Sequence, residues 1–336
     1  MIKAALIGFG GIAQIHRYSY WYLSEKMGKA VELVAAFDLD PAKFTAKTKI
    51  NIPLGEMTEH KPIHFYTDLE EMLSKEEIDF VDICLPPKLH ASMTAQMMAR
   101  GYSVLCEKPM AHTDEECESM LKAAKESGKT LMIGHSVRFS PYYECLHDMI
   151  ESEKYGKPVS SVFERYSPPP AWSANAWQMD IKQSGGCLFE LNIHDVDVVR
   201  WLFGEPKEVS GKLESRNYER DTFECGLGYD GHTVTVRGGW LTPEDAFRCG
   251  YEVTFENAVV CFDGTEITVK ENGKAPEKIE IEDREPIIDE LDYFTDVLEG
   301  KIKNTKNPPE GSAKTIALLH KFLDCAFENK TMKWEG

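Results

Sequence analysis

The stretch Ile2–Ala13, IKAALIGFGGIA, decides how the rest of the chain is read. A short apolar run, Ile2 to Ile7, ends in Gly8-Phe9-Gly10-Gly11-Ile12-Ala13, a GxGxxA pattern at a strand exit and a helix entry. In that pattern the first glycine allows a tight turn and the second lets a pyrophosphate approach the backbone. The small third residue lets the helix pack close to the sheet. Glycine-rich strand exits are common, so the segments that follow must carry the reading.

A second apolar strand, Val31 to Phe37, ends in Asp38, where a dinucleotide fold places an acid to accept hydrogen bonds from the adenine ribose. Asp38 lies farther from Gly8 than the usual ~20 residues, and a long helix and loop over Ile15 to Gly28 absorbs the difference. Asp40, before Pro41, reads as a helix N-cap with proline at N1, and a helix starting there would carry Lys43 away from Asp38. Helical and strand-like segments then alternate. Asp68–Leu73, Leu89–Arg100 and Thr113–Ser127 read as helices; Phe80–Leu85, Tyr102–Cys106 and Thr130–Ile133 read as strands. This is the pattern of an α/β domain with a parallel, doubly wound sheet, whose ligand crevice lies at the carboxyl ends of the strands. Three polar or breaker-rich segments land on that edge: LPPKLH (85–90), CEKPM (106–110) and GHSVRF (134–139).

A different question is raised by GGCLFELNIHDVDVVRW, Gly185–Trp201. At about 100° per residue, Glu190, His194, Asp197 and Trp201 fall in one narrow stripe. Leu188, Phe189, Leu191, Ile193, Val196, Val198, Val199 and Leu202 cover most of the remaining circumference, so the helix should be largely buried. Its polar stripe then faces either solvent or a lined cavity. From about Lys157 the pattern changes to strand-like runs at Val159–Tyr166, His232–Trp240, Tyr251–Phe255, Val259–Phe262 and Glu266–Lys270, with a hairpin turn at Asp263-Gly264. Such runs with a helix on one side predict an α+β domain built on an antiparallel sheet. Pro286–Glu299 and Pro309–Asn329 read as helices able to pack back on either domain. The expected division is residues 1–140 and 141–336.

Composition bounds the function. With 336 residues, two domains are the prior expectation. Fifty-six acidic against 38 basic residues give a formal charge of -18, which would repel a phosphate backbone and argues against nucleic acid. The amino-terminal apolar run lacks a signal peptide's h-region, and no segment approaches about eighteen uninterrupted apolar residues. Nine cysteines without a CxxC or CxxH pair look like reduced thiols, with Cys84 and Cys106 in the core and no zinc site or disulfide framework. A cytoplasmic protein without a membrane partner or a bound metal is expected.

In order along nearly the whole chain stand GFGGIA with Asp38, YTDLEEML, VDICLPPKLH, VLCEKPM, IGHSVRF and GGCLFELNIHDVDVVRWLFGEP. As a set they resemble the glucose–fructose oxidoreductase, inositol dehydrogenase and MocA-like oxidoreductases. The resemblance implies an N-terminal Rossmann domain and a C-terminal open, mostly antiparallel sheet whose face often mediates oligomerisation, here to a homodimer or homotetramer. It also implies hydride transfer between a nicotinamide cofactor and a sugar, polyol or related carbohydrate. Gly8, Phe9, Gly10, Gly11, Ile12, Asp38, Leu85, Pro86, His90, Glu107 and Lys108 are the expected cofactor contacts. Lys108 matches the family lysine near the nicotinamide, and His194 the family's acid/base histidine. Glu190 stands where many members have aspartate, and Asn192 where glycine is frequent, so substrate identity does not transfer from the inositol dehydrogenases.

The chemistry suits these residue types. Oxidising a secondary alcohol needs a proton acceptor that titrates near working pH, which histidine supplies. A lysine cation stabilises developing alkoxide charge, and a carboxylate near the histidine tunes and orients it. Catalysis is therefore expected from Lys108, His194 and Glu190, and substrate contacts from Lys108, Arg138, Glu190, His194 and Trp177. Trp172 and Trp177 are either walls for a sugar ring or plain core, and Asp197 either supports the pocket or pairs structurally. NAD is expected over NADP, because AAFDLDPAKF sets Asp38 at the 2′ position without an arginine. Two alternatives stand beside this reading. One is a metal-dependent hydrolase using His194, Asp195 and Asp197; the other is a non-catalytic dinucleotide-sensing regulator.

Overall fold

The computed structural model describes residues 1–46, 62–170, 174–215, 218, 220–242, 246–282 and 284–336. They form two compact units, Met1–Ser136 with Glu285–Ala313, and Val137–Arg284 with Lys314–Gly336. Neither unit is continuous in sequence, because residues 285–313 join the first.

In the first unit the strands are β1 (Ile2–Ile7), β2 (Val31–Phe37), β3 (His64–Tyr66), β4 (Phe80–Ile83), β5 (Ser103–Glu107) and β6 (Leu131–Gly134). They pair in the order β3-β2-β1-β4-β5-β6, every pair parallel. Helices α1 (Gly11–Glu25), α2 (Leu69–Lys75), α3 (His90–Ala99) and α4 (Asp114–Ser127) connect them. Their ends carry local signals. Asp68 caps α2, and Thr113 with Glu116 forms a reciprocal capping box on α4, which ends at left-handed Gly128. The helix α8 (Pro286–Leu298) returns to this unit. Its Ile287, Ile288, Leu291 and Phe294 enter the core that contains Leu6, Ala13, Tyr20 and Phe80.

The second unit contains α5 (Pro141–Glu151), α6 (Ile181–Ser184), α7 (Ile193–Phe203), most of α9 (Pro309–Glu328) and strands β7 (Pro158–Ser167) to β15 (Met332–Lys333). Between them lie β8 (Glu208–Glu214), β9 (Thr222–Tyr229), β10 (His232–Trp240), β11 (Arg248–Phe255), β12 (Ala258–Phe262), β13 (Ile267–Glu271) and β14 (Glu277–Ile279). Among the described residues these strands form a nine-stranded sheet in the order β14-β13-β12-β11-β7-β10-β9-β8-β15. Only the central pair, β7 with β10, is parallel. Ser161, Phe163, Arg165 and Ser167 alternate along β7 as its buried set, the period expected of a sheet with one covered face.

Two local expectations are corrected. Pro41–Phe44 is a single 3-10 turn capped by Asp40, whose Oδ1 accepts the Ala42 N–H at 3.0 Å. It is too short to carry Lys43 away. Leu188–Asn192 is a π-helical turn ahead of α7, so the uniform α-helical phase assumed for Gly185–Trp201 fails at its start. Trp172 lies outside the described residues. No helix among the described residues is long and apolar enough to cross a membrane.

Candidate active site

The first unit gathers the residues expected on the cofactor at the carboxyl ends of β1, β2, β4 and β5. Gly8 has φ +93, and a Cβ there would lie 2.6 Å from the Cys84 carbonyl oxygen, so only glycine makes this turn. At Gly10, by contrast, a Cβ would meet nothing within 4 Å. Gly10 is also the N-cap of α1, with no side-chain cap and no acid in the first turn. The start of α1 thus has open space beside Gly10 and no acid of its own in the first turn, which fits a dinucleotide pyrophosphate. Phe9, behind the turn, is buried edge-on to Phe65 and Phe44.

Asp38 is buried beside this turn. Its Oδ2 accepts the Phe9 N–H at 2.8 Å and its Oδ1 the Asp40 N–H at 2.9 Å. Lys43 donates Nζ to the same Oδ2 at 2.9 Å, contrary to the expectation that it is carried off. The carboxylate is aimed by the backbone, and a cation stands on it.

Farther along the edge, His90 is buried with Nε2 2.8 Å from the Leu85 carbonyl and Nδ1 2.8 Å from the Pro109 carbonyl. It ties the Leu85–His90 loop to the turn after β5. Glu107, also buried, places Oε1 3.0 Å from His16 Nε2, and its Oε2 accepts the Lys108 N–H at 3.1 Å. The Lys108–Pro109 bond is cis. His16 in turn sets Nδ1 2.7 Å from Asp82 Oδ2, which also accepts the Tyr20 hydroxyl at 2.8 Å. The sequence reading missed His16 and Asp82. Their signals were an imidazole on the buried face of α1 and a lone acid inside the apolar strand FVDI.

The second unit holds the stripe residues, and it separates them. Glu190 is buried in the π turn, where its Oε2 accepts Gln178 Nε2 at 3.0 Å. His194 is half-buried in the first turn of α7. Asp197 is fully engaged elsewhere. It accepts Nε and Nη2 of Arg138 at 2.7 and 2.8 Å, and Thr315 Oγ1 donates to its Oδ1 at 2.9 Å. Of the two readings of Asp197, the structural pair is the one observed. Trp201 stacks on His147, with ring centroids 4.4 Å apart. Arg138, expected on substrate, is buried with its guanidinium fork on that carboxylate. Trp177 sits half-buried in the 3-10 turn Ala174–Met179.

Asp195 is likewise taken by Arg165, through Nε at 2.9 Å and Nη2 at 3.1 Å. Asp195 and Asp197 therefore point into separate guanidinium pairs and do not converge with His194 as a hydrolase metal set would require. Asn192 donates Nδ2 to the Arg165 carbonyl at 3.0 Å. It occupies the place a Cβ on Gly238 would need, since that atom would lie 2.1 Å from Asn192 Nδ2. The Asn192 amide is thus accommodated by a glycine on β10.

Comparison with known proteins agrees with both units. Residues 2–135 match the model of the oxidoreductase family with an NAD-binding Rossmann fold, and residues 143–261 match the GFO/IDH/MocA C-terminal domain. The chain belongs to the Gfo/Idh/MocA family of oxidoreductases, and it is a dehydrogenase or reductase with a nicotinamide dinucleotide fold.

It is 26% identical over 302 residues to scyllo-inositol 2-dehydrogenase (NADP(+)) IolU of Bacillus subtilis, covering 85% of this chain and 90% of that protein. It is 28% identical over 176 residues to 1,5-anhydro-D-fructose reductase of Ensifer adhaerens, covering 52% of this chain and half of that enzyme's length. Among solved structures, the aldose-aldose oxidoreductase of Caulobacter crescentus complexed with glycerol shares the fold with a TM-score of 0.83 at 20% identity, covering 99% of each chain. An oxidoreductase from Agrobacterium radiobacter, solved with NAD+, L-tartaric acid and magnesium, superposes with a TM-score of 0.81 at 18% identity, over 99% of this chain and 98% of that one.

Proposed function

We propose that this oxidoreductase interconverts a secondary alcohol and a ketone on a sugar, polyol or related carbohydrate, using NAD. The observation that carries the reading is the shared edge of one parallel sheet, where the Gly8–Gly10 cradle, Asp38 and the Lys108 turn are gathered. The alcohol class is supported by the relatives named for inositol and anhydrofructose chemistry.

When bound, the nicotinamide supplies the hydride acceptor or donor. The remaining work falls to this chain. Gly8 and Gly10 admit the pyrophosphate to the start of α1, and Asp38 accepts hydrogen bonds from the ribose hydroxyls. His194 takes the hydroxyl proton in oxidation and returns it in reduction. Lys108 stabilises alkoxide charge as it develops, and Glu190, steadied by Gln178, orients the imidazole or a substrate hydroxyl. NAD is preferred because the Asp38 carboxylate repels a 2′-phosphate. A cytoplasmic homodimer or homotetramer completes the reading, and light scattering on the purified protein measures its size.

The test is reduction of NAD or NADP by a panel containing myo-inositol, scyllo-inositol and simple aldoses, with 1,5-anhydro-D-fructose assayed in the reverse direction. Turnover of one or more members, abolished in Lys108→Ala and His194→Ala, is expected. Tight cofactor binding with no turnover across a broad panel supports the dinucleotide-sensing alternative.

A further inference from the structure

His16 lies outside the catalytic set, yet it is fully buried among charged groups. It sits on α1, whose first turn is the nucleotide cradle, and it touches two carboxylates from two neighbouring strands. Nδ1 is 2.7 Å from Asp82 Oδ2 on β4, and Nε2 is 3.0 Å from Glu107 Oε1 at the end of β5. Glu107 spends its other oxygen on the Lys108 N–H at 3.1 Å. Space for this carboxylate comes from β6, where a Cβ on Gly134 would lie 3.1 Å from Glu107 Oε1.

We propose that His16 is a positioning residue for Lys108, bridging Asp82 and Glu107 so that the Glu107 carboxylate stays on the Lys108 backbone. The inference rests on the assignment of Lys108 to the chemistry.

Several observations support it. A neutral imidazole has one N–H, whereas two carboxyl oxygens face both ring nitrogens, so with both acids ionised the bridge requires the imidazolium form. Burial would drive the proton off, but the Asp82 charge and hydrogen bond outweigh it, and the His16 pKa stands well above its ordinary value. Burial likewise opposes ionisation of Glu107, yet its hydrogen bond to His16 holds its pKa below the ordinary value. Tyr20, donating to Asp82 at 2.8 Å, and the Cys84 thiol, 3.6 Å from Asp82 Oδ1 with its pKa pushed up to about 12, complete the polar groups around the ring. Finally, the far flank of the turn is held independently, by His90 on the Pro109 carbonyl. The Glu107 flank is the part that depends on His16.

Neutral replacements isolate this role. His16→Asn cannot bridge two carboxylates as a cation does, and Glu107→Gln removes the charge it serves. His16→Asn should bind NADH, followed by fluorescence titration, about as tightly as the wild type, because the cradle at Gly8–Gly10 is untouched; Glu107→Gln, at an expected cofactor contact, is compared with it by turnover. Their kcat, with the panel polyol turned over fastest, should fall by about ten- to a hundredfold with little change in KM, the cost of misplacing a catalytic group. The double variant should lose no more than the worse single variant, since both act through one contact.

Histidine-selective 15N NMR of the wild-type holoenzyme supplies a readout independent of turnover. One imidazole, absent from His16→Asn, should keep both nitrogens protonated at about pH 8, beyond the range of an ordinary histidine. A neutral His16 under those conditions, wild-type kcat in folded His16→Asn, or multiplying losses in the double variant would overturn the proposal. Lys108→Ala separates the two levels. If that variant turns over normally, the assignment of Lys108 falls; if it is inactive while His16→Asn is normal, only the bridge falls.

Discussion

Lys43 Nζ and the Phe9 N–H share one oxygen of Asp38, at 2.9 and 2.8 Å. A residue that the sequence sends away from Asp38 therefore stands on it, with about two fifths of its side chain still exposed. Under the proposed assignment the pair puts both charges at the position that distinguishes the two cofactors, where Asp38 would repel a 2′-phosphate and Lys43 would soften that repulsion.

The ratio of catalytic efficiencies with NAD and NADP measures the balance. The wild type should favour NAD. Asp38→Ala should narrow the preference, and Lys43→Ala should widen it by removing the only nearby cation of the AAFDLDPAKF stretch. A wild-type enzyme that favours NADP by about tenfold or more would show that Asp38 is not the ribose acid.

Removing the acid–base group should cost about 10²-fold or more in kcat. His194→Ala should show this loss while remaining folded, because His194 is only half-buried. Lys108→Ala should behave alike. Near-normal rates in both folded variants would remove the mechanism.

The Arg138–Asp197 pair is buried on both sides. Asp197→Ala leaves a guanidinium without its carboxylate and removes the acceptor of the Thr315 hydroxyl, so unfolding free energy should drop by about 3–5 kcal/mol. Chemical denaturation reads this directly. A drop below about 1 kcal/mol, typical of an exposed pair, would contradict the burial described here.

His16 makes stability depend on pH in a definite direction. Its pKa is raised on folding, so its contribution is complete below the ordinary value of 6.5 and disappears as the pH climbs past the raised one. Glu107, lowered on folding, contributes above its ordinary 4.5 and loses that contribution as the pH falls through its depressed value. The difference in melting temperature between the wild type and His16→Asn should therefore be large near neutrality and shrink in alkali. A difference that grows with alkaline pH has the wrong sign for a buried imidazolium.

The backbone at Gly8 offers a simpler test. Gly8→Ala would place a methyl 2.6 Å from the Cys84 carbonyl at a positive φ, straining both β1 and β4. Loss of NADH binding together with a lowered melting temperature is expected. Unchanged values for both would refute the tight turn.

Much of the nucleotide half was legible from local sequence. A strand, its glycine exit, the acid after the next strand and the lysine after β5 are each defined by neighbours in the chain. Apolar patterning likewise located β1, β2, β4–β7, β10–β13 and most of the helices, because periods of two and 3.6 follow from backbone geometry, but it gave no sign of β8, β9 or α5. What local spacing could not show was partnership. Arg138 meets Asp197 across 59 residues, and His16 meets Asp82 across 66 and Glu107 across 91. A single helical phase placed Glu190, His194 and Asp197 in one stripe, whereas a π turn breaks that phase between Glu190 and α7, and a distant arginine gave Asp197 a structural role. Lys43 moved in the opposite sense, because a helix expected at Pro41 closed as one 3-10 turn. A burial pattern is written in each segment, but which charges neutralise one another inside the core is decided by the order in which strands assemble. Desolvation makes that choice obligatory, since a buried charge must find its partner wherever the fold places it.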